Sequence, residues 1–304
     1  MLRRTILAAS RSPRLREAIS TMPLSREVVA RFVAGETTDD AVRATAALTG
    51  NGLLVSLDHL GEDTTEVGHA EAVTKAYLTL LQRLDDNGLT AGAEVSVKLS
   101  AIGQALDRHV CVDNARRICE AATAAGTTVT LDMEDHTTTD STLGILAELR
   151  ADFPGTGAVI QAYLRRSAGD VEDLIRSRAR VRLCKGAYKE PESVAYGTRK
   201  EVDLSYVRLL VRLMRDGAYP MVATHDPRLV AIASSLARER EPGTYEFQML
   251  YGIRPDEQRR LAAAGNRVRV YTPYGQEWYG YLMRRLAERP ANLAFFLRAL
   301  ATTS

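Results

Sequence analysis

Two cations stand where apolar strands should not tolerate them. Lys98 lies between Val97 and Leu99, and Arg182 lies between Val181 and Leu183. Alternation along a strand turns each side chain to one face of its sheet. A buried cation needs an anion beside it. Asp132 or Glu134, in LDMEDH (131–136), is the expected protein partner, and a bound ligand is the other. Near the C-terminus Trp278, Tyr281, Arg285 and Glu288 recur at i, i+3, i+7 and i+10, with Arg284 beside them. That spacing gathers them on one helix face. Two guanidinium groups plus Lys98 suit one small carboxylate, because arginine grips a carboxylate with a two-pronged fork. Tyr271, Tyr274 and Tyr281 would add apolar walls with polar tips. The chemistry these residues point to is the binding of a small organic acid.

Other chemistries lack their residues. The histidines at 59, 69, 109, 136 and 225 form no HxH or HExxH, and Cys111, Cys119 and Cys184 form no CxxC, so no metal is expected. Cys184 sits in an apolar run and reads as core. No GxGxxG follows a strand, and there is no P-loop. Lys98 and Lys185 do permit a Schiff-base lyase, which is the leading rival from the residues alone.

Something must position these groups. The chain has 304 residues, 45% hydrophobic and 26% charged, the balance of a soluble globular protein. Its net charge of +2 gives no argument for nucleic acid as a partner. Three cysteines without a framework fit a reducing, cytoplasmic compartment. No apolar run reaches the length of a membrane span. Residues 1–17 hold five Arg and one acid, a composition shared by mitochondrial presequences and basic amphipathic helices, and the helix is the expectation.

Eight short aliphatic segments follow: 53–60, 94–100, 128–135, 157–164, 180–188, 220–226, 244–250 and 267–275. Each starts apolar and ends polar. Helical spacing fills 71–84, 112–125, 141–151, 202–216, 227–240 and 255–264, with Asp203 and Asp226-Pro227 as N-terminal signals. Near-continuous hydrophobic strands alternating with helices predict a parallel sheet covered on both sides. Eight such units predict a distorted (β/α)8 TIM-type barrel over 51–304, with residues 1–50 as extra N-terminal helices packed on it. A doubly wound open sheet is the alternative. In a barrel the active-site groups belong at the C-terminal ends of the strands, and there the polar residues are dense.

The motifs SVKLSAIG (96–103), LDMEDH (131–136), QAYL (161–164), RLCKGAY (182–188), ATHD (223–226), EFQMLYG (246–252), VYTPYG (270–275) and YLMRRLAERPAN (281–292) resemble those of the proline dehydrogenase family. The resemblance runs in order from about residue 50 to the end. It implies a barrel carrying FAD that oxidises L-proline to Δ1-pyrroline-5-carboxylate and passes electrons to a membrane quinone. It implies that Lys98, Arg284 and Arg285 hold the proline carboxylate, and that Tyr271 and Tyr281 wall the ring. Asp132 would anchor Lys98 or otherwise order the site. Arg182 would approach the flavin's reactive nitrogen, Met133 would pack near the flavin and Gln161 would bond its ring. Lys185, Gly186 and Ala187 would line the phosphate and ribityl region, and Thr224 and His225 the pyrophosphate or adenosine end. Glu288 and Tyr188 would support these from behind. Lys189 stands where bifunctional relatives carry an aromatic. The length matches the short monofunctional bacterial type, whose product goes to a separate pyrroline-5-carboxylate dehydrogenase. The LAFFLRAL segment (293–300) and the N-terminal helices offer amphipathic faces for peripheral contact with the cell membrane, or for packing on the barrel. Another FAD barrel such as a methylenetetrahydrofolate reductase, and a non-catalytic acid-binding barrel, are the further alternatives.

Overall fold

The computed structural model describes residues 29–61 and 64–288, the side chains of 284–288 excepted. The expectations for residues 1–28 and for the 293–300 segment lie outside the described residues. Helix α1 (Thr38–Thr49) precedes eight strands that close in sequence order. They are β1 (Leu54–His59), β2 (Ala93–Val97), β3 (Val129–Leu131), β4 (Gly157–Gln161), β5 (Arg180–Cys184), β6 (Tyr219–Ala223), β7 (Glu246–Leu250) and β8 (Val268–Tyr274). Between them run α2 (Val67–Asp86), α3 (Arg108–Ala124), α4 (Thr139–Asp152), α5 (Ser167–Arg176), α6 (Arg199–Asp216), α7 (Pro227–Ala237) and α8 (Pro255–Ala263). Helix α9 (Trp278–Glu288) follows the last strand. All neighbouring pairs are parallel, and β8 pairs with β1, so the sheet is a barrel and not an open doubly wound one.

The helices form for the reasons their sequences carry. Val73, Tyr77, Leu80, Leu81 and Leu84 make the buried stripe of α2. Asp226 caps α7 by accepting from the Arg228 backbone N–H at 3.0 Å, with Pro227 in the first turn. The start of α6 differs from the expectation at Asp203. Thr198 caps it instead, in a reciprocal capping box with Glu201. Helix α5 has no counterpart among the sequence-read helices. It is short, ten residues, and buries Ser167, Val171 and Leu174.

The strands correct the sequence reading in one respect. Their apolar residues face the helices: Val55, Leu57, Val95, Val97, Val181, Leu183, Phe247 and Val270 belong to one core with α2, α3 and α6. The alternate positions, on the barrel's inner face, are polar and buried, among them Ser56, Glu94, Ser96, Thr130, Arg182, Glu246, Gln248 and Arg269. Register puts Ser56 beside Glu94, Ser96 beside Thr130 and Gln248 beside Arg269. The interior is therefore largely an ion-pair lattice, with Val159 and Met221 in register beside Arg182 as an apolar part. Among the described residues no helix is long and apolar enough to cross a membrane.

Candidate active site

The strands end early and their polar tails become loops. Ladder β3 stops at Leu131, and Asp132 starts the loop, its backbone N–H still bonded to Val97 at 2.9 Å. A short 3-10 turn (Leu99–Ile102) likewise takes over just after Lys98. These exits surround a cavity of about 700 Å³ at the C-terminal mouth. That size suits a small ligand with a cofactor segment.

Tyr274, expected as a wall, does not line this cavity: it is buried in the main core with its ring edge-on to His59, 5.1 Å between centroids, whereas the family-implied site residues whose side chains are described all line it. They are Lys98, Asp132, Met133, Gln161, Arg182, Lys185, Gly186, Ala187, Tyr188, Thr224, His225, Tyr271 and Tyr281. Arg284, Arg285 and Glu288 lie on α9, but their side chains are outside the described residues.

The ion pairing at the cavity floor meets the expectation for Arg182, which Asp132 pairs at 2.7 Å, but departs from it for Lys98. Lys98 Nζ donates to both carboxylate oxygens of Asp58 at 2.7 Å, and Asp132 is farther, at 3.9 Å. Glu134 turns away and accepts from the Ser100 hydroxyl at 2.7 Å and its backbone N–H at 3.2 Å. Asp58 is fully buried, and burial pushes its carboxyl up while the Lys98 ammonium pulls it back.

Asp132 orders Arg182 and Tyr271 instead. It accepts from Arg182 Nη1 at 2.7 Å, from Ser96 at 2.7 Å and from the Tyr271 hydroxyl at 2.6 Å. Burial, with Asp132 and Asp58 adding to it, holds the Tyr271 phenol well above its ordinary pKa, so it stays a donor. The Tyr271 ring also covers the Arg182 guanidinium, 5.2 Å from its centroid.

Arg182 spends its N–H groups on the protein. Besides Asp132 and Ser96 (2.8 Å), it reaches Gln248 Oε1 at 2.5 Å, Ser56 at 3.0 Å and Glu94 at 3.2 Å. Glu94 in turn accepts from Arg180 at 2.7 Å, and Arg269 pairs with Glu246 at 2.7 Å. Burial works against the charges here. The arginines outweigh it and hold Glu94 far below the carboxylate range. Lys98, Arg180, Arg182 and Arg269 thus face Asp58, Glu94, Asp132 and Glu246.

At the open end Lys185 bonds Asp203 at 2.5 Å and Asp226 at 3.1 Å, and Arg228 bonds both at 2.9 Å. Gly186 adopts φ +114°, and a Cβ there would stand 2.3 Å from the Tyr163 ring. Only glycine lets the loop pass that ring. His225 Nε2 accepts the Leu250 backbone N–H at 2.9 Å, which leaves the proton on Nδ1. Thr224 Oγ1 accepts from the Asp226 backbone at 3.1 Å, and Gln161 Nε2 donates to the Glu134 carbonyl at 2.7 Å. Burial pushes the Cys184 thiol up to about 12, so it is protonated and no nucleophile. No metal-binding cluster of His, Cys, Asp or Glu is found among the described residues.

Sequence reasoning missed Asp58 as the partner of Lys98, and it missed Glu94 and Arg269. The signal that exposes Lys98 and Arg182, a charge inside an apolar run, is also present in Ala93-Glu-Val95 and Val268-Arg-Val270.

His59, next to Asp58, gives a pH prediction. Burial, then the Lys98 charge, pulls its imidazole down to about 4. Unfolded it titrates near ~6.5. Between those values the unfolded chain binds the extra proton, so stability present above pH ~6.5 is lost as pH falls towards about 4. His59→Leu should flatten that part of the melting temperature against pH relative to the parent chain.

A family model described as proline dehydrogenase matches residues 41–298. Proline dehydrogenase from Deinococcus radiodurans is 42% identical over 277 residues, 89% of each chain. Proline dehydrogenase 1 of Bacillus subtilis is 39% identical over 272 residues, again 89% of each. The crystal structure of proline utilization A from Bdellovibrio bacteriovorus, inactivated by N-propargylglycine, superposes with a TM-score of 0.81 at 27% identity. It covers 87% of this chain, which spans only 33% of that longer one. Barrel, motif order and these similarities converge: the chain belongs to the proline dehydrogenase family.

Proposed function

We propose that this protein oxidises L-proline to Δ1-pyrroline-5-carboxylate with FAD as its resident cofactor. The observation that carries the reading is the convergence of the family's motif residues on one cavity at the barrel mouth. The cavity's chemistry fits the cofactor. Apolar and amide groups (Met133, Val159, Gln161) suit a flavin ring, and the cations Lys185, Arg199 and Arg228 suit its diphosphate.

When bound, FAD supplies the hydride acceptor. The protein's own task is to orient and to balance charge. Lys98, fixed by Asp58, presents a cation to the proline carboxylate together with Arg284 and Arg285 on α9. Tyr271 and Tyr281 wall the ring and exclude water. Asp132 locks Tyr271 and Arg182 in place, and Arg182 keeps a fixed positive charge beneath the site for the negative charge that builds during transfer. Gly186 and Ala187 line the cofactor chain with Lys185, and Thr224 and His225 line its far end, while Tyr188 and Glu288 support the rim. The amine proton leaves to water. Electrons pass on to a quinone at a membrane surface, from a cytoplasmic protein. A separate dehydrogenase consumes the product.

The test is the visible spectrum of the purified protein before and after L-proline, without oxygen. Flavin bands bleached by L-proline are expected. Bands that persist with proline but bleach with a nicotinamide donor would point to the reductase alternative. A colourless protein that takes up no added FAD would overturn the reading.

A further inference from the structure

The segment before α1 is tied to the rim of the barrel beside the candidate substrate helix. Phe32 and Val33 are buried. The Ala34 backbone N–H donates to the Pro273 carbonyl at 2.9 Å, and the Gly275 N–H donates to the Gly35 carbonyl at 2.9 Å. Gly252, after β7, sits so close to the strap that a Cβ there would overlap the Arg31 carbonyl oxygen at 1.6 Å. The strap thus spans the exits of two strands.

Its last residue reaches across to α9. Glu36 Oε1 accepts the indole N–H of Trp278 at 2.8 Å. Trp278 is buried and is the first residue of α9. Glu36 is itself held in place, since its backbone N–H and that of Thr37 donate to the Asp40 carboxylate at 3.1 and 2.9 Å. The Asp40 carboxylate that completes the capping box of α1 therefore also anchors the backbone of the residue that grips α9. One helical turn beyond Trp278, Tyr281 lines the cavity.

We infer that Glu36 is a positioning residue for the substrate site: by holding the Trp278 indole it sets where the first turn of α9, and with it Tyr281, sits over the cavity. The inference rests on the reading above, in which α9 contributes the substrate contacts. A loosened first turn would cost proline affinity, because the binding groups would have to be ordered when substrate arrives. The transfer step itself, once proline is seated, would change little.

The experiment uses the full-length, FAD-loaded protein and the variants Glu36→Leu, Glu36→Gln and Trp278→Phe. Glutamine keeps an acceptor for the indole, leucine does not, and phenylalanine keeps a ring without the N–H. Glu36→Leu and Trp278→Phe should each raise the proline KM about fivefold, the size of one ordinary net hydrogen bond, with kcat within about twofold. Glu36→Gln should restore most of the affinity. Binding of the non-oxidisable ring carboxylate tetrahydro-2-furoate, followed by flavin absorbance, should weaken in parallel. Trp278 is the single tryptophan of the chain, so its emission reports the contact directly and should shift in Glu36→Leu but not in Glu36→Gln.

An unchanged KM and furoate affinity in Glu36→Leu, despite a shifted emission, would overturn the inference. So would a Glu36→Gln variant as impaired as Glu36→Leu. If Glu36→Leu fails to fold, Trp278→Phe decides by the same two affinities. A parent protein that proline does not bleach would instead sink the reading of function, a result visible before any variant is made.

Discussion

Arg182→Met should unfold at a markedly lower temperature than the parent chain, by roughly 10 °C. The reason is the number of acceptors left behind. Arg182 is 4% exposed and bonds two carboxylates, two hydroxyls and an amide oxygen inside the barrel. Methionine fills much of the volume and satisfies none of them. Glu94 would keep Arg180, but Asp132 would lose its closest cation. Removing one member of a buried ion pair costs about 3–5 kcal/mol, because the remaining charge stays in the low-dielectric interior. For a chain of this size that corresponds to a few degrees per kcal/mol or slightly less. Arg182→Lys should recover little, since one ammonium cannot reach five acceptors placed around a planar fork. The control is a double variant with Asp132→Asn, which removes the stranded charge and should cost less than the sum of its singles. Thermal unfolding by circular dichroism checks all three, and an Arg182→Met protein as stable as its parent would show the lattice to be energetically idle.

Asp58→Asn is expected to lower kcat/KM for L-proline by about a hundredfold or more, ~2.7 kcal/mol of transition-state stabilisation. Asp58 does not need to touch substrate for this. Both its oxygens accept from Lys98 at 2.7 Å, so it fixes where the ammonium stands and balances its charge. The amide keeps one acceptor, loses the charge, and turns an N–H₂ towards a cation. Asp132, 3.9 Å away, is then the carboxylate left to pair with Lys98. It would swing towards that carboxylate and compete with Arg182 and Tyr271 for it. Lys98→Met should be at least as damaging, and Asp58→Asn on top of Lys98→Met should add almost nothing. Steady-state kinetics on the flavin-loaded variants decide this. Additive losses in the double variant would mean that Asp58 acts by some route other than Lys98.

Local sequence was enough for the architecture. Each strand is a short run with apolar residues in it, and most helices carry a stripe of apolar residues at helical spacing, as α2 does with Val73, Tyr77, Leu80, Leu81 and Leu84. Such patterns are set by neighbours in the chain, so they survive in one dimension. Eight alternations leave few topologies besides a barrel, and the barrel rule sends the polar strand tails to one mouth. Lys98, Asp132, Arg182 and Tyr271 were legible as a group for that reason. Helix α5 was not read from the sequence; it is only ten residues long.

The pairing of the charges was decided by tertiary structure alone. Lys98 and Asp58 are 40 residues apart, and Arg182 and Glu94 are 88 apart. Nothing in either segment distinguishes Asp58 from Asp132 or Glu134 as a partner for Lys98. Closing the barrel makes β1 the neighbour of both β2 and β8, and brings β5 within reach of β1 and β2 across the interior. Which carboxylate meets which cation then follows from register and side-chain reach, quantities that exist only once the sheet has closed. The same holds for the strap. Glu36 and Trp278 are 242 residues apart, and their hydrogen bond depends on the first and last strands being neighbours. The sequence by itself determined which residue types face the mouth, because alternation and apolar runs are local. Only the folded barrel determined their partners, because electrostatic pairing is settled by distance in space and not by distance along the chain.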